Sequence, residues 1–284
     1  YADEEASRWL AAALEAAYAV WPAPVRHAVP VNATVPAVTP DRVPDVLARF
    51  DGCTTAKVKV AEPGQSLDDD VDRVAAVRSA MGPAARIRID ANGGWDLEAA
   101  AEALRRLTLY DLEYAEQPCA TVEELVQLRT LLARKGIDVL VAADESIRKA
   151  EDPVRVARLG AADLVIVKVA PLGGVARALE IVDACGLPAV VSSALDTSVG
   201  IAAGVALAAA LPSLEHACGL GTVGLFTDDV AVTPLRPVGG MLAPGRVEPD
   251  PAALSSLAVS AERREWWLDR LARCHDALEG GGGR

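Results

Sequence analysis

Apolar positions along the chain follow two periods. Over 3–21, Trp9, Leu10, Ala13, Leu14, Ala17 and Trp21 recur at helical spacing. Asp3, Glu4 and Glu5 lie at the end of that helix where negative charge is favoured, and Pro22 and Pro24 close it. Short β-rich runs then alternate with helical stretches. Strands are predicted over 29–38, 56–60, 85–90, 112–116, 138–144, 163–169, 188–193 and, weakly, 215–218. Helices are predicted near 41–50, 68–81, 96–107, 121–135, 151–159, 173–185 and 198–211. Thr39-Pro40-Asp41, Ser66, Thr121 with Glu124, and Asp152-Pro153 supply start signals, and Gly82, Gly136, Gly160 and Gly186 stand where left-handed caps belong.

Eight strands separated by seven helices point to parallel βαβ units. A doubly wound open sheet fits the alternation too. A closed (β/α)₇β barrel fits better, because polar residues recur at nearly every strand end and a barrel gathers all those ends around one site. The expected division is a capping remnant over 1–28, a catalytic barrel over 29–224, and a segment over 225–284 that returns to the cap. Pro234, Pro237, Gly239, Gly240, Pro244 and Gly245 mark a looped excursion, 262–278 a last helix, and 280–283 a frayed tail.

Parallel strands buried on both faces should be apolar throughout. Two are not. Lys57 and Lys59 share one face of 56–60, and Arg86, Arg88 and Asp90 share one face of 86–90. Side chains alternate along a strand, so one charged set points into the barrel when the Val and Ile residues pack on the helices. Such burial is costly unless the charges are paired or hold a metal. Acids close three successive strands, Asp90, Glu116 and Asp144, at intervals of 26 and 28 residues. Adjacent strands lie ~4.8 Å apart, so the three carboxylates can converge. With no His or Cys among them the donors are all oxygen, which suits Mg²⁺, with Mn²⁺ as the alternative. Lys57 and Lys59 stand on one side of this set and Lys168 on the other. Opposed lysines flanking a metal suit proton abstraction next to a carboxylate.

Charge and composition narrow the partners. The net charge is −12 and no Lys/Arg cluster forms a basic face, which argues against nucleic acid and anionic membrane surfaces. A small-molecule carboxylate is the expected partner, since a buried metal or lysine reverses the sign locally. Five scattered cysteines without a C-x-x-C, no signal-peptide pattern, and a longest apolar run of only 199–211 place the expected chain in the cytosol. Oligomeric state is not legible.

Lys57-Val58-Lys59, Asp90-Ala91-Asn92, Glu116-Gln117-Pro118, Asp144-Glu145-Ser146 and Lys168, in order and one βα unit apart, resemble the enolase superfamily. The segments AKVKVAEPGQ, RIDANGGW, EYAEQPC, AADESIRKAEDP, VIVKVAPLGG, VVSSALDTSVGIAAG, HACGLGT and RREWW resemble its o-succinylbenzoate synthases of actinobacterial type. The resemblance implies a syn-dehydration of 2-succinyl-6-hydroxy-2,4-cyclohexadiene-1-carboxylate on the route to menaquinone. It also implies Mg²⁺ on Asp90, Glu116 and Asp144, Lys59 as the base, and Lys168 stabilising the enediolate from the other face. Lys57 would lower the pKa of Lys59, and Arg88, Asn92 and Glu145 would orient lysines and ligands, with a structural ion pair to a carboxylate as the alternative for Arg88. The succinyl tail would lie near Ser192, Ser193, Gly219 and Leu220. With 28 residues before the first expected barrel strand, the cap is expected to be partial and built from both termini.

Rival readings use the same residues. An N-succinylamino acid racemase or dipeptide epimerase would work Lys59 and Lys168 on opposite faces. A non-catalytic barrel would only bind. A Schiff-base role for Lys168 leaves the acid trio idle. Gly219 to Gly224 matches G-x-G-x-x-G, but comes late and follows a weak strand, so a tight loop offering N–H groups to a carboxylate is expected instead of dinucleotide binding. Asn32-Ala33-Thr34 matches a glycosylation acceptor but falls in a strand. His27 and His275 are expected to be structural, while His216 is a candidate to approach the site. Trp9, Trp21, Trp266 and Trp267 are expected to pack, joining the terminal helices.

Overall fold

The computed structural model describes residues 2–147 and 152–281. The predicted helix start at 151 and residues 282–283 of the expected tail lie outside the described residues. Strands β2 (Ala33–Val35), β3 (Thr55–Lys59), β4 (Arg86–Asp90), β5 (Leu112–Glu116), β6 (Val141–Ala143), β7 (Leu164–Val167) and β8 (Ala189–Val191) form one parallel sheet in chain order. The sheet closes through residues 218–219. Cys218 bridges Val31 and Gly219 bridges Ser192, both in parallel sense. The Cys218 N–H donates to the Pro30 carbonyl at 2.7 Å, and the Gly219 N–H to that of Val191 at 2.8 Å. The eighth strand is therefore present as bridges alone, which accounts for its faint sequence pattern.

Two strand predictions need correction. The run 29–38 divides. β1 (Val29–Pro30) pairs antiparallel with β9 (Met241–Leu242) of the C-terminal excursion, Val31 bridges to Cys218 at the barrel closure, and 33–35 form the first barrel strand. The Val31 N–H donates to the Gly240 carbonyl, so the chain passes from one sheet to the other within three residues. The run 163–169 stops at Val167; Lys168 begins the short helix α7 (Val169–Leu172).

Local chemistry explains the helices. In α3 (Leu67–Met81) and α5 (Val122–Lys135), Ser66 with Asp69 and Thr121 with Glu124 make complete capping boxes. Asp96 caps α4 (Leu97–Leu107) through the Ala99 N–H at 2.8 Å. Gly82, Gly136, Gly160 and Gly186 all take positive φ. α8 (Val175–Cys185) and α9 (Ser198–Ala210) complete the ring with α6 (Asp152–Leu159), and α2 (Val43–Leu47) covers the first crossover. The main core lies between sheet and helices, and a smaller apolar group of Tyr114, Ala142, Leu164, Ile166 and Val190 fills the barrel interior.

The terminal helices meet. α1 (Asp3–Tyr18), three residues shorter than predicted, packs on α7 and on α11 (Ala261–Gly281), with α10 (Pro251–Ser256) before it. Asp3 pairs with Arg273 at 2.7 Å. Trp9 lies between the two helices, but Trp266 and Trp267 are 41% and 50% exposed and stack edge-on against each other. No described helix is long and apolar enough to cross a membrane.

Candidate active site at the barrel mouth

Strand register assembles the charged cluster. Lys59 pairs with Asp90 across β3 and β4, and Asp90 with Glu116 across β4 and β5. These side chains emerge together at the C-terminal mouth. Lys57 Nζ bridges Asp90 Oδ2 at 3.0 Å and Glu116 Oε1 at 2.7 Å, with all three side chains at least nine-tenths buried. Lys59 Nζ donates to the same Asp90 oxygen at 2.5 Å and to Asn92 Oδ1 at 2.7 Å. On the other side Lys168 Nζ meets both Asp144 oxygens at 2.6 Å. Lys59 and Lys168 stay partly open, at 29% and 23%.

These groups hold one another's charge states. Burial alone would discharge Lys57, but Asp90, Glu116 and Asp144 override it and keep its ammonium well above the ordinary range. Burial also opposes the charge of Lys168, and Asp144 overrides it. Asp90 is buried too, yet Lys57 and Lys59 hold its carboxyl well below the usual range. Glu116 goes the other way. Burial and the charge of Asp90 push it up to about 8 despite Lys57.

The raised Glu116 is the observation that bears on a metal. Asp90 and Asp144 both stand close enough to repel it, so the three acids share one region. All their donors are hard oxygens, and the set fits a divalent ion. Among the described residues no three acids are already gathered as a ligand shell, because each is turned onto an ammonium.

Neighbouring loops fix the cluster, partly through residues the sequence pattern did not single out. Gln117, buried at φ 38°, accepts from the Asp144 and Ser146 N–H groups and donates to the Cys119 carbonyl. Asn92, at φ 47°, joins Lys59 to Glu145, to which it donates at 2.9 Å. On α3 the fully buried pair Asp70–Arg73 holds the backbone from Lys59 to Ala61. Arg73 donates to the Lys59 carbonyl at 2.8 Å, and Asp70 accepts from Ala61, whose φ is 59°. A signal for this pair existed: Asp70, Arg73, Val74 and Val77 fall on one helical face, so two charges occupy positions that should be apolar.

Arg88 takes the alternative reading, a structural ion pair with a carboxylate, and not the role of orienting lysines. Its guanidinium does not reach the lysines. It donates to Tyr114 Oη and the Ala217 carbonyl at 2.7 Å and to Glu113 at 2.5 Å. The cause is a β-bulge. Ile87 pairs with Leu112 but Ile89 with Ala115, so Arg88 faces two residues, Glu113 and Tyr114. Glu113, which alternation would send outward, turns in and also binds His216 at 2.8 Å. His216 thus serves this inner cluster and not the mouth. The acceptor pattern at Asn32 is closed as well, since Asn32 is fully buried.

The expected tail residues separate. Ser192 and Leu220 line a cavity of about 570 Å³ together with Lys168, Asp196 and the small side chains of α1. Burial raises the Asp196 carboxyl, which the sequence reading had not assigned. Ser193 is spent on the Gly219 carbonyl and Thr222 Oγ1, and the Gly219 N–H on Val191, so the glycine loop does not offer that N–H to a ligand.

A family described as enolase C-terminal domain-like matches residues 43–250. The chain is 61% identical to the o-succinylbenzoate synthase of Mycolicibacterium smegmatis and 55% identical to that of Mycobacterium tuberculosis, over 97% and 98% of its length and 83% of each relative. Among solved structures, muconate cycloisomerase from Pseudomonas fluorescens superposes with a TM-score of 0.72 at 25% identity, over 82% of this chain and 66% of that one. N-succinyl Arg/Lys racemase from Bacillus cereus gives the same TM-score at 22% identity, over 84% and 65%, and supports the fold alone. The parallel barrel, the lysine–carboxylate mouth and these relatives lead to one assignment: the chain belongs to the enolase superfamily.

Proposed function

We propose that the chain is an o-succinylbenzoate synthase that removes water from 2-succinyl-6-hydroxy-2,4-cyclohexadiene-1-carboxylate with Mg²⁺ as its divalent ion. The observation that carries the reading is the pair of partly open ammonium groups, Lys59 and Lys168, held from opposite sides of three buried carboxylates. It is supported by the near full-length likeness to proteins of that name.

Asp90, Glu116 and Asp144 would hold the metal. When bound, it supplies positive charge beside the substrate carboxylate and lowers the cost of placing negative charge there. Lys59, as the neutral amine, takes the proton alpha to that carboxylate and returns it to the departing hydroxyl on the same face, which balances as loss of one water. Lys168 stays an ammonium and stabilises the developing charge from the other face. Lys57, held charged, shares Asp90 Oδ2 with Lys59 and fixes that carboxylate beside it. Asn92, bonded to Glu145, keeps Lys59 aimed at the mouth.

The tail would extend past Ser192 and Leu220 into the cavity beside Lys168. The remaining expectations, a cytosolic location and a small-molecule carboxylate as the sole partner class, belong to this proposal.

The test is turnover of the cyclohexadiene substrate with and without Mg²⁺. Activity that chelation abolishes and Mg²⁺ restores, and that Lys59→Ala lowers by about 10³-fold or more with the fold intact, is the expected result. Metal-independent turnover, or near-normal activity in Lys59→Ala, would refute it.

A further inference from the structure

The cavity beside Lys168 has one wall that is not part of the barrel. Trp9, Ala12, Ala13, Ala16 and Ala17 of α1 face Lys168, Ser192 and Asp196 across it. The position of α1 therefore sets the width of the space behind the lysine. Small side chains keep this wall thin, and α1 is held by its packing on α7 and α11 together with polar bonds to the barrel.

One bond reaches the barrel directly. Glu15, on α1, accepts from the first two N–H groups of α8, Val175 through Oε2 at 2.6 Å and Ala176 through Oε1 at 2.9 Å. Both carboxylate oxygens thus occupy the positive end of a barrel helix, where unpaired N–H groups and the helix dipole favour a negative charge. The approach is tight. Gly174 sits at φ 127°, and a Cβ there would lie 2.7 Å from Glu15 Oε2. No side chain at 174 would permit this contact. The same turn ends α7, the four-residue helix that begins immediately after Lys168 and on which α1 packs. At the same C-terminal end α1 is also braced by Arg246, which donates to the Ala16 and Ala19 carbonyls and stacks on Trp21 at 4.3 Å.

We infer that Glu15 is a positioning residue, a latch that fixes the α1 wall at the width needed to hold the substrate's tail against Lys168. The inference rests on the reading of the site given above. It assigns Glu15 to tail binding and not to proton transfer, because the carboxylate points at α8 and away from the carboxylate–lysine cluster. Apparent affinity scales with the fraction of molecules in the competent arrangement, so loosening the wall raises KM and leaves the chemical step alone.

Steady-state kinetics with the cyclohexadiene substrate and Mg²⁺ test this on Glu15→Ala and Glu15→Gln, with hydrogen exchange of the amides at 175 and 176 as a second readout. Glu15→Ala is expected to raise KM about tenfold with kcat within about twofold. Glu15→Gln, which keeps an acceptor oxygen and loses the charge, should fall between it and wild type. Exchange at 175 and 176 should speed up in the same order. Unchanged KM in both variants overturns the latch, and so does a fall in kcat at constant KM. Faster exchange without a change in KM overturns it too, as it reduces Glu15 to a helix cap. Wild-type turnover is measured first. Its absence refutes the assigned reaction and the tail-binding role with it, whereas variants matching an active wild type refute the latch alone.

Discussion

Replacing Lys57 by Met isolates what the buried charges at the barrel mouth require. The substitution keeps most of the volume and removes the ammonium that bridges Asp90 at 3.0 Å and Glu116 at 2.7 Å. Both acids are 1% exposed, so water does not replace the lost partner. Breaking one side of a buried ion pair costs about 3–5 kcal/mol. Part of that cost is avoided by protonating Glu116, which already sits near 8 with Lys57 present. A group whose folded pKa is raised binds its proton more tightly in the folded state, so its contribution declines as pH climbs from about 4.5 through the folded value. The variant should therefore lose least at pH 6 and most above pH 8. In chelator at pH 8 the melting temperature is expected to drop on the order of 10 °C. Millimolar Mg²⁺ should recover much of this, and should stabilise the variant more than wild type, since Glu116 Oε1 is freed of its ammonium and Asp90 Oδ2 keeps only Lys59. Thermal unfolding followed by calorimetry at pH 6 and 8, with EDTA and with Mg²⁺, reads all four terms. Equal losses in EDTA and Mg²⁺ would mean that Asp90 and Glu116 do not hold the cation, and an unchanged melting temperature would mean that the bridge carries no stability.

Two further outcomes are expected. Glu113 is held down to about 2 by His216 and Arg88 against the opposing effect of burial. Its contribution is complete above the unfolded value near 4.5 and fades as pH falls toward 2, so Glu113→Gln should cost on the order of 2 kcal/mol in urea unfolding at pH 7 and clearly less at pH 3; equal costs at both pH values would show that the ionised carboxylate is not the stabilising form. If the chain racemises N-succinylamino acids as well, both enantiomers should exchange their alpha proton with solvent, one through Lys59 and the other through Lys168, and NMR showing no exchange with either would exclude that activity.

Chain pattern alone indicated the architecture and the charged residues that the fold gathers at the barrel mouth. Period-two alternation of Lys and Val at 57–60 and of Arg and Ile at 86–89 set charges on one face of two strands, and acids one βα unit apart fell at the same end of successive strands. Capping boxes at Ser66 and Thr121 were legible because such bonds span three residues. Tertiary structure decided whatever depends on register or on pairing distant in the chain. One inserted residue in β5 turned Glu113 inward and drew Arg88 and His216 away from the mouth, and no local pattern encodes which strand carries the bulge. The split of 29–38 required the partner at 241–242, more than two hundred residues away. The same holds for Glu15 on α8, where a surface-looking carboxylate acquires its role from N–H groups 160 residues further along. Alternation and capping arise from neighbours in the chain; register and long-range caps arise from which surfaces the folded barrel brings together.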